Sequence, residues 1–291
     1  MTKRVTIVTT VSAWPEALEA QRFLLGKYCK DDFKFVAVID TSPNPNAWNL
    51  WDASLREKAT KIAKEYCDEV LLVPEAIHND RRKLFPNTQV KRAKYSNERA
   101  ADALQFVFAE KLIKENNLTL ILDSDMFPFA PFSLMNNLMN TPFRGVFQER
   151  SKRFKKSVDY FWNGIMEFDP TRLPELEKFS FDCGKVNGIK VDTGGQTHTW
   201  LRMMREHGLM QSIGRIDHLS SLNWKLSEYR GDLPLGLRNY VSQDPRNVGD
   251  CIYTEIYDDA FLHFRAGSNW KEEAPELVKF RHLGFIQACF D

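Results

Sequence analysis

Leu118-Thr119-Leu120-Ile121-Leu122-Asp123-Ser124-Asp125 is the stretch on which the fold turns. Its near-continuous apolar run is of the kind buried on both faces of a parallel sheet. The run stops at Asp123, so two carboxylates two residues apart stand at its carboxyl end. Upstream, the chain alternates. Val5 to Val11 reads as a strand, followed by Pro15 at a first helical turn and by Ala17, Ala20, Leu24 and Tyr28 at helical spacing. Phe33 to Ile39 reads as a second strand, ending at Asp40 before the turn-rich Thr41-Ser42-Pro43-Asn44-Pro45-Asn46. A weaker helix near 52–66 leads to a third strand, Val70 to Val73, stopped by Pro74. Residues 75–95 read as an irregular, basic loop with a short helix. A helix from Asn97, capped by Ser96 and with Glu98 in its first turn, then buries Ala101, Leu104, Phe108 and Leu112.

Three strand–helix units thus precede the strand at Leu118, which predicts an α/β fold with an open, doubly wound, mostly parallel sheet. Ligands of such sheets bind outside the carboxyl ends of the strands. Here those ends are Thr9-Thr10, Asp40-Thr41 and Asp123-Ser124-Asp125. Downstream, Phe127 to Phe132 leads to a short helix, then come Arg144 to Gln148, Phe161 to Phe168, a helix near 194–207 and scattered short elements. No repeat or flexible linker interrupts them, so residues 1–291 are expected to form a single large domain.

Composition narrows the function. The 291 residues are 43% apolar and 27% charged, which excludes a disordered chain. Forty Lys plus Arg oppose 39 Asp plus Glu, so the whole-molecule field does not draw the protein to nucleic acid or an anionic membrane. Five cysteines, none in a CxxC pair, exclude a zinc ribbon and read as reduced thiols of a cytoplasmic protein. Threonines and Trp14-Pro15 break the apolar run after Lys3-Arg4, so a first strand is expected there and not a signal peptide. No window of 18 apolar residues is present to span a bilayer.

Four stretches carry chemistry. Asp123 and Asp125 are like charges that need a counter-ion, and hard oxygen ligands suit Mg²⁺ or Mn²⁺. The alternative, a cap for the next helix, needs only one such residue. In Phe161-Trp162-Asn163-Gly164-Ile165-Met166-Glu167-Phe168, a glycine among bulky neighbours marks a bulge or a close backbone approach to a ligand. In Val191-Asp192-Thr193-Gly194-Gly195-Gln196-Thr197-His198-Thr199-Trp200, Asp192 is either a general base at a pocket or an N-cap carboxylate. In Phe261-Leu262-His263-Phe264-Arg265-Ala266-Gly267-Ser268-Asn269-Trp270, His263 is either a metal ligand or a structural histidine.

Taken together, the four stretches resemble the pattern of GT-A fold glycosyltransferases, over a span from Val5 to Trp270. The resemblance implies one GT-A catalytic domain, Rossmann-like, with a nucleotide-binding half at 1–127 and a donor-sugar and acceptor half at 128–291. It implies metal-dependent transfer of a sugar from a nucleoside diphosphate sugar, UDP-sugar favoured, to a hydroxyl acceptor. Asp125 would be the direct ligand of Mn²⁺ or Mg²⁺, Asp123 would share the metal and the ribose of the nucleotide sugar, and His263 would complete the metal shell. Asp192 would be the catalytic base; the reaction inverts if it lies behind the anomeric carbon and retains if it does not, with inversion slightly favoured. Thr9, Thr10 and Asp40 would meet the nucleobase, and Arg99 the diphosphate; Ser124, Asn163, Gly164 and Trp270 would complete the nucleotide-sugar site. The chain departs from the family pattern where Asp192 is followed by Thr-Gly-Gly instead of standing in a Glu-Asp pair.

Basic clusters at Arg81-Arg82-Lys83, Lys91-Arg92-Lys94 and Arg150 to Lys156 suggest a basic surface. Interspersed acids such as Glu98, Asp159 and Glu167 favour a glycan or small-molecule acceptor over modified bases in DNA. Two other readings remain. A HAD-like phosphatase would use the DxD with Asp258-Asp259 as its late acidic pair, although its DxD belongs on a first strand. A non-catalytic nucleotide-sugar binding module would need no base.

Overall fold

The computed structural model describes residues 4–40, 54–151, 157–265 and 275–291. At its centre lie β1 (Val5–Val11) and β4 (Leu118–Asp123), paired in parallel. On the other side of β1 come β2 (Phe33–Ile39) and then β3 (Glu69–Leu72), also parallel. These four strands alternate with α1 (Ala17–Tyr28), α2 (Ser54–Tyr66), the short α3 (Glu75–Asn79) and α4 (Ser96–Val107). A π-helical turn, Phe108–Leu112, and a last turn, α5 (Ile113–Glu115), prolong α4. β1 and β2 have the bounds that their residues predicted. The cap of α4 differs from expectation: Tyr95 is its N-cap residue, and the Glu98 carboxylate accepts the N–H groups of Lys94 and Tyr95.

The second half extends the sheet and builds a smaller one. After β4 come β5 (Met126–Pro128), α6 (Leu134–Asn137), β6 (Phe143–Arg150) and β7 (Val158–Phe168). A hairpin of β8 (Gly184–Val186) and β9 (Ile189–Val191) leads to α7 (Thr197–Glu206) and β10 (Ile213–Arg215). Last are β11 (His218–Leu219), α8 (Leu235–Ser242), β12 (Glu255–Tyr257), β13 (Phe261–His263) and α9 (Pro275–Phe290). The large sheet runs β10-β6-β7-β4-β1-β2-β3, with β7 antiparallel to both of its neighbours. This mainly parallel sheet flanked by helices is the Rossmann-like α/β arrangement that the strand–helix alternation predicted. A four-stranded antiparallel sheet, β11-β12-β13-β5, adjoins the carboxyl end of β4.

Alternation along the central strands divides the core into two layers. Val5, Ile7 and Val11 pack with Leu18, Ala59 and Phe261 on one side; Val8, Val36 and Val38 pack with Leu104, Phe108 and Trp200 on the other. Both layers therefore mix residues from either half of the chain. Among the described residues, no helix is long and apolar enough to cross a membrane.

Candidate metal and donor site

β4 ends at Asp123, and the two-residue turn Ser124–Asp125 reverses the chain into β5. The Ser124 N–H donates to Asp123 Oδ1 at 2.9 Å. β5 then pairs with β13 in a register that sets Met126 opposite His263. That pairing carries His263 back to the aspartates across 138 residues, with Nε2 3.2 Å from Asp125 Oδ1. One ligand atom each from Asp123, Asp125 and His263 lies within 4.8 Å of the others.

The imidazole is oriented from behind. β12 faces β13 with Glu255 opposite His263, and Glu255 Oε2 is 2.8 Å from His263 Nδ1. The Tyr257 hydroxyl donates to the same oxygen at 2.8 Å, and the Ser221 N–H donates to Oε1. A carboxylate behind a metal-binding histidine fixes its ring and its tautomer. Glu255 was not among the residues singled out in the sequence.

The charges in this cluster are strained in the way two close carboxylates must be. Burial, and then the Asp125 charge, push Asp123 up to about 7. Burial alone would lower His263, but Asp125 and Glu255 raise it to about 10. Burial would likewise raise Glu255, yet the hydrogen bond and charge of His263 bring it down to about 2. An imidazolium thus balances the acids here. A divalent cation would supply the same compensation at the vertex the three side chains share. Two carboxylates and an imidazole are hard to borderline donors that fit Mg²⁺ or Mn²⁺.

Gly164 lies in the β7 bulge. Gly145 pairs with Met166, and the next residue, Val146, pairs with Trp162, so residues 163–165 have no partner on β6. The Trp162 ring folds back over Gly164, where an added Cβ would stand 2.0 Å from it. That ring also stacks on Tyr257 at 5.1 Å, and its centroid is 5.2 Å from that of His263. Trp162 is therefore packed between Gly164 and Tyr257 beside the Asp123–Asp125–His263 cluster, and Gly164 is glycine to admit it.

Asp192 is exposed, and its Oδ1 accepts the Thr193 N–H at 2.9 Å. It does not cap α7, whose N-cap residue is Gln196. Its turn is held from two directions. Thr193 Oγ1 donates to the Asn97 carbonyl at 2.8 Å, at the start of α4. Gly194, at φ +85°, lies so close to β7 that a Cβ would meet the Phe161 carbonyl oxygen at 2.4 Å. The turn therefore bridges the neighbourhood of Arg99 and the Trp162–Gly164 bulge.

At the end of β2, Asp40 joins a chain of buried charges. Asp40 Oδ1 is 2.8 Å from Arg99 Nη2 and 3.0 Å from His78 Nε2. His78 Nδ1 is 2.8 Å from Asp102, which accepts from Arg81 Nε at 2.6 Å; Arg81 Nη2 also donates to Asp182 at 2.8 Å. With both ring nitrogens on carboxylates, a protonated His78 gives three cations against three anions. Its pKa is raised accordingly: burial would lower it, but the hydrogen bonds to Asp102 and Asp40 dominate. Arg99 is thus a buried residue, and Arg81, expected on a basic surface, is fully buried.

His78→Leu should cost about 3–5 kcal/mol, because it leaves buried charges uncompensated. A histidine raised on folding stabilises below its ordinary pKa and loses that contribution as pH rises through its folded value. Melting temperature should accordingly fall with rising alkalinity in the wild type, and much less in His78→Leu. A melting series in pH checks both.

The remaining expected residues divide. Thr10 is the strand partner of Asp123, whereas Thr9 is fully buried with its hydroxyl unpaired. Ser124 is buried in the DxD turn and Asn163 is half-buried in the bulge. Trp270, Thr41 and the basic residues 152–156 lie outside the described residues. Removing His263 should test the metal assignment. His263→Ala should weaken Mn²⁺ affinity about 10-fold or more, and Glu255→Gln should weaken it in the same direction. A lower melting temperature with unchanged affinity in both variants would mark His263 as structural.

Comparison with known proteins adds little to this geometry. No family model matches the chain, and no curated protein does. Among solved structures, the apo form of mouse xyloside xylosyltransferase 1 is similar to 74% of this chain and 85% of its own, at 13% identity and a TM-score of 0.41. A likeness that distant carries no site residue across, so the site rests on its own arrangement.

Proposed function

We propose that this protein is a metal-dependent glycosyltransferase that moves a sugar from a nucleoside diphosphate sugar to a hydroxyl acceptor. The observation that carries the reading is the convergence of Asp123, Asp125 and His263 at the carboxyl end of the central sheet. Ligands of doubly wound sheets bind at that end. Mn²⁺ or Mg²⁺ held there would neutralise charge developing on the diphosphate leaving group.

The chain's own groups take the other roles. Asp40 favours a uracil base: it stands at the carboxyl end of β2, Arg99 and His78 hold its carboxylate through Oδ1, and a carboxylate can accept from an imide N–H. Arg99 is the diphosphate partner and holds its place through Asp40. Thr10 and Ser124 flank Asp123 on the nucleotide side. Asn163 and Gly164 line the donor sugar beside Trp162. Asp192, exposed on a turn pinned at both ends, is the base that takes the acceptor proton, which makes the reaction inverting. The late acidic residue a phosphatase would need, Asp258, is instead gripped through both oxygens by Arg144 at 2.9 and 2.8 Å.

Calorimetry with UDP tests the donor assignment. Affinity should require Mn²⁺ or Mg²⁺ and disappear in EDTA; equal affinity in EDTA would remove the metal from the account. A glycan acceptor is favoured over DNA. Arg81 contributes nothing to the surface, and Arg82 is paired with Asp80. Binding to duplex DNA should therefore be weak and insensitive to salt. A steep fall of measurable affinity with log salt would identify a phosphate track and overturn the glycan choice.

A further inference from the structure

Helix α1 buries Ala17, Leu18, Ala20, Leu24 and Leu25, and among them one polar residue, Gln21, with no exposed surface. Its amide nitrogen donates to two backbone carbonyls, those of Asp123 and Met126, each at 2.9 Å. They bracket Ser124–Asp125, the turn that carries the aspartate pair. The Asp125 carbonyl is held from the opposite side by the Phe264 N–H at 2.8 Å. Gln21 Oε1 is buried with no partner. Both amide hydrogens are thus committed to the turn, and the oxygen stays unsatisfied. An unpaired buried acceptor is a cost to folding, so stability alone does not explain a glutamine in an apolar layer.

We propose that Gln21 is a positioning residue of the metal site, setting the turn so that the Asp123 and Asp125 carboxylates converge on one cation. The proposal rests on reading Asp123, Asp125 and His263 as metal ligands. Those two carboxylates hang from a turn whose rotation at Ser124 would swing them apart. One amide fixing the carbonyls at both ends removes that freedom before the ion arrives, and preorganised ligands bind with less ordering cost. Gln21 touches neither metal nor substrate; it acts through the backbone.

The test compares Mn²⁺ affinity, measured by the electron paramagnetic resonance of free Mn²⁺, with melting temperature in EDTA. Gln21→Met keeps the shape and loses both donors. Gln21→Asn keeps the amide and loses the reach. Both should weaken Mn²⁺ affinity about 10-fold or more, the scale seen when groups behind a metal site are lost. Wild-type Mn²⁺ affinity retained in a folded Gln21→Met protein would overturn the positioning role while leaving the metal site standing. A wild type that binds no Mn²⁺ would instead overturn the reading of the triad, and Gln21's role with it. Should either variant fail to fold, the wild type decides by nuclear magnetic resonance. The Gln21 side-chain amide signals should exchange slowly and move on Mg²⁺ addition; no movement at saturating Mg²⁺ would contradict the proposal.

Discussion

Asp192→Asn should lower sugar transfer about 10²- to 10⁴-fold, the range a positioned general base contributes. It should leave UDP affinity in Mn²⁺ unchanged, because Asp192 is not among the three residues proposed to hold the metal. The substitution is also mild for the fold. Asp192 is exposed, and the amide oxygen of asparagine can still accept the Thr193 N–H that Oδ1 accepts now. The turn itself is held by Thr193 Oγ1 on Asn97 and by Gly194 against Phe161, neither of which the change touches. Single-turnover kinetics beside calorimetry separates the two effects. Normal turnover in Asp192→Asn would move the base elsewhere or make it unnecessary.

Asp125→Asn should abolish the gain in UDP affinity that Mn²⁺ provides. Asp125 is buried, stands 3.2 Å from His263, and contributes one of the two carboxylates. Its loss removes a charged ligand, and it also removes the first charge that raises Asp123 beyond burial. The fold should survive, since the backbone of the turn keeps its bonds to Gln21 and Phe264. UDP titrations of wild type and variant, each with Mn²⁺ and with EDTA, give four affinities. Only wild type with Mn²⁺ should be tight.

How much was legible in the sequence depended on the range of the interaction. β1 and β2 were readable to the residue because each is a short apolar run ended by turn residues, and local pattern decides them. Asp123 and Asp125 stood out for the same reason. The partners that complete the site did not. Glu255 reaches His263 only because two three-residue strands pair, and strands that short leave almost no periodic signal. His78, Asp102 and Arg81 lay in or next to segments read as solvated or merely helical, yet they form a buried chain of ion pairs. Gln21 did carry a signal: a polar residue inside the α1 stripe of Ala17, Ala20 and Leu24. The C-terminal helix α9 escaped because it is apolar on several faces, with Leu277, Phe280 and Leu283 exposed, so no helical period appears.

The geometry around Trp162 carries the same lesson. A glycine between bulky residues predicted either a bulge or a close backbone approach to a ligand; the bulge is present, and the group lying against Gly164 is the protein's own indole. The resemblance implied Gly164 beside a donor; the structure places it against a ring that borders His263 of the candidate metal cluster. Those roles are compatible, since a fixed wall is what a sugar pocket needs.

Hydrolysis of nucleotide sugars by the purified protein, screened with a panel of donors in Mn²⁺ and in EDTA, tests the proposed transferase most directly. Activated donors in such a site are attacked slowly by water when no acceptor is present. A metal-dependent transferase should release UDP from at least one UDP-sugar, in a reaction that depends on Mn²⁺ and is lost in Asp125→Asn. Release that proceeds equally in EDTA, or a protein that neither binds nor cleaves any donor in the panel, would contradict the proposed activity.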